Sequence, residues 1–286
     1  MRQSFASRRT RIGEFRSAAG IYATRKYNFG LLVSHIAETH GFMVLFPTVN
    51  FSTMYWDFGF ILAFLAIVIP WRGKLRVDRL MQRPKLTSSN RLGLYASTII
   101  SQWAISGFVL WRALARSVSL AELGMTMIDP WRIAWITVAL TGILCVSQFF
   151  GLKKLAQLPI EKRGPLFRIT ERIAPRSPRE ALVFAILAAT AGISEEFLYR
   201  GFVFSAFARM FSPVALGIFY GGAISSLWFS VAHLYQGRRG LVTTFIVGTI
   251  FICVRIYTGS LLPALVAHAA VDLMVGLCLP KFLRLE

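Results

Sequence analysis

The sequence predicts an all-α, polytopic transmembrane helix bundle of about eight spans, or seven if residues 29–49 do not cross. Three observations carry this. The mean hydropathy is +0.57. Hydrophobic residues make up 55% of the 286 and charged residues only 16%, where a soluble domain carries about 25% charged residues. The charge is also segregated: long apolar stretches alternate with short Arg/Lys-rich stretches. The apolar stretches approach the roughly 20 residues a helix needs to cross a bilayer. They lack strand-like alternation, and lipid then leaves helices as the backbone solution.

The elements follow in order. Residues 1–28 are a basic tail rich in Arg, Ser and Ala, with Glu14 as its one acid. No apolar region follows closely enough for a cleaved secretory signal. Residues 29–49 are apolar but interrupted by His35, Glu38 and His40, so they read as a weak span or an interfacial helix. Clearer spans are expected at 55–71, 92–111 and 133–150, which complete an N-terminal transmembrane half (29–150) with no recognisable site. Asp57 is its one candidate acid, placed near a span end where it can reach the interface. Residues 151–179 form a polar connector with eight Lys/Arg. Four further spans, near 180–199, 214–235, 240–257 and 260–279, make a C-terminal core (180–279), and 280–286 are a short tail.

The net charge of +19 raises the question of a nucleic-acid partner. The basic residues cluster beside apolar runs, where cytoplasmic loops and anionic headgroups favour them, so no nucleic acid is expected and membrane lipid is. The rich loops at 72–91 and 151–179 are assigned to the cytoplasm. An integral, multi-pass protein follows, with a bacterial plasma membrane expected and an organellar membrane left open. The three cysteines, Cys145, Cys253 and Cys278, lie in apolar runs without metal-ligand spacing and read as small buried hydrophobes.

An ionisable residue inside a span is costly and is by default a functional hypothesis. The C-terminal core holds several. Residues 192–201 read Gly-Ile-Ser-Glu-Glu-Phe-Leu-Tyr-Arg-Gly. Glu196 and Arg200 stand at i and i+4, acid first, and can pair on one helix face. Glu195 is rotated about 100° from Glu196, which leaves it the unpaired acid and the candidate reactive one. Phe229 and His233 repeat the i, i+4 spacing, so the ring can fix the imidazole. His268 and Asp272 share a face, where the carboxylate can hold the imidazole in one tautomer or both can face one ligand.

Glu195-Glu196-x-x-x-Arg200, Phe229-x-x-x-His233 and His268-x-x-x-Asp272 together resemble the three-motif signature of the CPBP intramembrane proteases, which include type II CAAX prenyl endopeptidases and bacterial Abi-domain proteins. The resemblance covers roughly 180–279. It implies an intramembrane endopeptidase that hydrolyses a membrane-associated, prenylated or lipidated protein or peptide. It implies Glu195 as the catalytic glutamate, with His233, activating a water. His268 and residue 272 would stabilise the oxyanion, and Glu196, Arg200 and Phe229 would support the site. One departure stands out: the last motif often ends in Asn, and an ionised Asp272 only accepts hydrogen bonds.

Two alternatives remain at this level. The same hydrolysis can use a divalent metal such as Zn²⁺, since Glu195, His233, His268 and Asp272 offer nitrogen and oxygen donors. A non-catalytic immunity or scaffold protein would keep these residues as interhelical contacts. The charge assignment also poses a difficulty. It starts the 180–199 helix in the cytoplasm and sends Glu195 toward the far end.

Overall fold

The computed structural model describes residues 48–83, 85–159 and 162–283. The basic tail and most of the candidate span at 29–49 lie outside the described residues, as does the end of the C-terminal tail.

The structure is an all-α bundle. Among the described residues, six helices are long and apolar enough to cross a membrane: α1 (Trp56–Gln82), α2 (Ser88–Ala115), α3 (Pro130–Ala156), α5 (Pro178–Ala208), α6 (Val214–Ala232) and α7 within Leu234–Thr258. Regular helix in α7 begins at Gly237. A seventh, α8 (Leu262–Leu283), is apolar over Leu262–Cys278. The shorter α4 (Gly164–Ile173) lies between α3 and α5 in sequence. The protein is an integral membrane protein.

Local sequence sets the boundaries. Thr87 caps α2 by accepting from the Asn90 N–H, and the Asn90 side chain returns the bond to the Thr87 N–H. This reciprocal arrangement satisfies two of the otherwise orphaned donors. Asp129 and Ser177 cap α3 and α5, each followed by a proline at a position that needs no N–H partner. Gly259, with φ of 71°, ends α7 in the left-handed conformation that favours glycine.

Two expectations change. The basic run after residue 71 is the second half of α1 rather than a loop, because its charges decorate a continuing helix. The connector 151–179 is also largely helical: it holds the end of α3 and all of α4, which buries Phe167 and Ile169.

Polar contacts sort the loops into two ends. At one end, Arg172 donates to the carbonyls of Leu80 and Arg83, and Tyr95 donates to that of Ile173. At the other, Thr126 bonds Gly259, Ser205 bonds the Glu122 carbonyl, and Thr48–Val49 forms a two-residue antiparallel bridge with Phe211–Ser212. The first end gathers Arg/Lys-rich segments, including Arg238 and Arg239 after α6.

Helix α5 is the axis of the bundle. Half of its apolar window is buried (50%), against 11% for α3. It runs parallel to α2: Arg91 meets Glu180 near the start of both helices, and Gln102 and Trp103 meet Glu195 and Thr190 further along both. Gly192 brings it against α8. A Cβ there would lie 2.8 Å from the Ala269 N and the Leu265 carbonyl oxygen, so only glycine allows this approach.

Candidate active site

The site is built on one irregular turn. Helix α5 changes to π-helical bonding over Phe197–Val203, directly after the paired glutamates. Such segments occur frequently at functional sites. Glu196 and Arg200 flank its start and form the expected pair: Arg200 donates to Glu196 Oε1 at 2.8 Å, and both side chains are 0% exposed. The guanidinium lies 3.9 Å from the Phe229 ring centroid and 5.4 Å from that of Phe251. These aromatic faces offset part of the cost of burying the cation. Gly248 makes the room, since a Cβ there would approach Arg200 to 2.9 Å. Arg255 fixes the same turn from α7 by donating to the Arg200 carbonyl at 3.0 Å.

Both histidines have one nitrogen committed. His233 follows the last residue of α6, and its Nδ1 lies 2.8 Å from the Phe229 carbonyl oxygen. A carbonyl only accepts, so Nδ1 carries the hydrogen and Nε2 is left for chemistry. The Phe229 ring packs on the imidazole with centroids 4.5 Å apart. His268 on α8 places Nδ1 2.8 Å from Glu196 Oε1. The carboxylate again accepts, and Nε2 points away from it.

Those two Nε2 atoms converge on Glu195. Its Oε2 lies 3.6 Å from His233 Nε2 and 4.0 Å from His268 Nε2. This oxygen is buried and has no hydrogen-bond partner among the described residues. Its other oxygen, Oε1, accepts from the Gln102 amide at 2.9 Å. Asp272 Oδ2 stands 3.6 Å from His268 Nε2, and its side chain is 41% exposed.

Residues 177–274 match the family model described as type II CAAX prenyl endopeptidase Rce1-like. This segment belongs to the CPBP family. The CPBP segment begins at Ser177, the cap of α5, and ends within α8. No curated protein and no solved structure matches the chain.

All seven residues singled out in the CPBP segment meet in one place, but their partners differ from expectation at two points. The carboxylate that holds the His268 tautomer is Glu196, not Asp272. Asp272 sits on the opposite nitrogen and is partly exposed. Glu195 is not without a local partner either, because Gln102 reaches it from α2. Gln102 lies outside the CPBP segment, in the half expected to hold no recognisable site. Its signal was present in the sequence: an amide in an apolar span needs a partner in the bundle.

One further polar group differs from expectation. Asp57 is buried and ion-paired with Arg112 and Arg116 at 2.5 and 3.2 Å, rather than reaching the interface. Arg91, in the first turn of α2, is buried against Glu180. Among the described residues, no group of three or more His, Cys, Asp and Glu side chains is arranged to hold a metal ion.

The depth of the site also differs from expectation. Helix α5 continues to Ala208, so Glu195 falls near the middle of the span rather than at its far end. His233 follows the last residue of α6 at the same depth, where that helix ends facing the basic segments. Tyr235 follows within the turn Leu234–Gln236, its ring centroid 5.8 Å from that of His233.

Proposed function

We propose that the protein is an intramembrane endopeptidase that hydrolyses a peptide bond in a membrane-anchored, prenylated or lipidated substrate. The observation that carries this reading is the unpartnered, buried Glu195 Oε2 facing two histidine Nε2 atoms. An acceptor oxygen kept from other donors beside an acceptor nitrogen can bind one water by both hydrogens. The match of residues 177–274 to a prenyl endopeptidase model supports the same class.

In this reading the water lies between Glu195 Oε2 and His233 Nε2. Its oxygen attacks the scissile carbonyl carbon, and its proton passes to Glu195. The carbonyl oxygen becomes an oxyanion facing His268, which donates from Nε2 in its doubly protonated form while Nδ1 stays on Glu196. The carbon–nitrogen bond then breaks. The leaving nitrogen takes the proton from Glu195, and the carboxylate is regenerated. Asp272, beside the same nitrogen, acts on the charge of His268 rather than on the oxyanion.

The substrate enters from the end of the bundle carrying the basic segments, which the charge pattern assigns to the cytoplasm. Helix α6 ends at His233 facing that end, and a lipidated tail anchored in the cytoplasmic leaflet would present its peptide from there.

The test uses full-length protein in nanodiscs with a fluorogenic peptide bearing a farnesylated cysteine. Wild type cleaves it and Glu195→Gln does not. Equal turnover by both would overturn the reading. Activity that persists through exhaustive chelation separates the water mechanism from the zinc-dependent version of the same reaction.

A further inference from the structure

We infer that Gln102 is a positioning residue that fixes which oxygen of Glu195 acts as the base. The inference rests on the proposed hydrolysis. Gln102 is the one side chain from the N-terminal half with a hydrogen bond to the glutamate among the described contacts.

A free carboxylate in a polar pocket has two equivalent oxygens and rotates between them. Here the equivalence is broken. The Gln102 Nε2 donates to Oε1 at 2.9 Å, while Oε2 is buried and faces the two imidazoles. An amide oxygen in the same position would set two acceptors against each other, so only the N–H side fits an ionised glutamate. The bond also survives the reaction. When Oε2 takes a proton, Oε1 remains an acceptor and Gln102 need not move. A proton on Oε1 would instead require the amide to turn over. Gln102 therefore favours proton uptake at the oxygen beside His233 and disfavours it at the other.

The residue is held in place by its helix. Helix α2 is fastened to α5 by Arg91–Glu180 on one side of Gln102 in the sequence and by Trp103–Thr190 next to it. The second of these bonds has the same helix pair and a similar length, 3.1 Å, but touches none of the site residues. It is an internal control.

The experiment compares Gln102→Met, Trp103→Phe and Glu195→Gln in full-length protein, with kcat, KM and thermal stability measured for each. Met is close in length and helix propensity to Gln, so it removes the donor and keeps the packing. Gln102→Met is expected to lower kcat about ten- to a hundredfold with KM within a factor of about two, as loss of orientation at a reacting group does. Trp103→Phe is expected to leave kcat at the wild-type value. Gln102→Glu restores a donor only when one proton sits on the paired carboxylates, so its deficit relative to wild type should shrink as the pH falls.

Wild-type kcat in Gln102→Met, with Glu195→Gln inactive, would overturn the role of Gln102 and leave the proposed hydrolysis standing. So would an equal loss in Trp103→Phe, because the effect would then belong to helix packing. If Glu195→Gln itself turned over normally, the proposed hydrolysis would fall, and this inference with it.

Discussion

Glu180 and Glu195 stand on the same helix, and their surroundings are opposite. Glu180, at the start of α5, is 1% exposed and has every oxygen engaged. Arg91 donates to Oε1 at 3.0 Å and to Oε2 at 2.7 Å, and the Arg176 N–H adds a third bond at 2.9 Å. Glu195, near the middle, has one oxygen engaged and the other buried without a donor. Buried polar groups are normally satisfied, and the exceptions call for an explanation. Glu180 needs none: it closes an interhelical contact. Glu195 leaves an acceptor aimed at two imidazoles, which is the arrangement the proposed hydrolysis needs. Glu196 marks the boundary between the two cases. Its Oε2 is also unpartnered, but its side chain is fully enclosed while that of Glu195 is 21% exposed. Of the three, only Glu195 combines an unpartnered acceptor oxygen with a partly exposed side chain.

The same substitution at the two positions should therefore separate activity from stability. Glu195→Gln removes the proton acceptor and retains the shape. Turnover should fall about 10²- to 10⁴-fold, the range for a lost general base, while the thermal unfolding midpoint stays close to wild type. Glu180→Gln should do the reverse. Breaking one partner of a buried ion pair costs about 3–5 kcal/mol because the other charge is left unpaired. Unfolding should shift strongly, with turnover per folded molecule unchanged. Replacing both Arg91 and Glu180 by Met should recover much of that stability, since no orphan charge remains. If Glu180→Gln lowered turnover of the folded protein as far as Glu195→Gln, the contrast between glue and chemistry would collapse.

Gly192 tests how the two helices carrying the site are held together. Its Cα face meets the Ala269 N and the Leu265 carbonyl oxygen, where a Cβ would sit at 2.8 Å. Both are backbone atoms and cannot rotate away. Gly192→Ala should cost about 1–3 kcal/mol, as overpacking of a tight interface does. It should also lower turnover, because α8 carries His268 and must stay within reach of Glu196. Wild-type kinetics in a stably folded Gly192→Ala would mean that the α5–α8 spacing is looser than the site requires.

What the sequence made legible follows from how local each signal is. The spans were readable because lipid imposes a length and a composition on each one separately. Glu196–Arg200 and Phe229–His233 were readable because both partners lie one turn apart on one helix. Contacts between helices were not. Gln102 and Glu195 are separated by 93 positions, and His268 finds Glu196 across 72. No periodicity links such pairs. Asp272 was offered as the orienting partner of His268 because it was the neighbour in sequence, whereas the tertiary neighbour Glu196 holds that place. The burial of Asp57 was hidden for a related reason: a charge near a span end can turn outward to the interface or inward to a partner, and its position in the chain is the same in both cases.

Phe229 allows the finest division, between a side chain and its own backbone. Its ring lies under the Arg200 guanidinium and against the His233 imidazole. Its carbonyl oxygen, however, is what fixes the His233 tautomer, at 2.8 Å from Nδ1. Phe229→Leu removes the aromatic face and leaves the carbonyl where it is. The lost cation–π contact should cost about 0.5–2 kcal/mol of stability, while His233 keeps Nδ1 committed and Nε2 free. Turnover should consequently stay within a few-fold of wild type, with the effect of pH on rate unchanged in shape. A much larger loss of turnover without a loss of fold would assign the orientation of His233 to the ring. The local pairing seen in the sequence would then be the functional one, and the backbone hydrogen bond secondary.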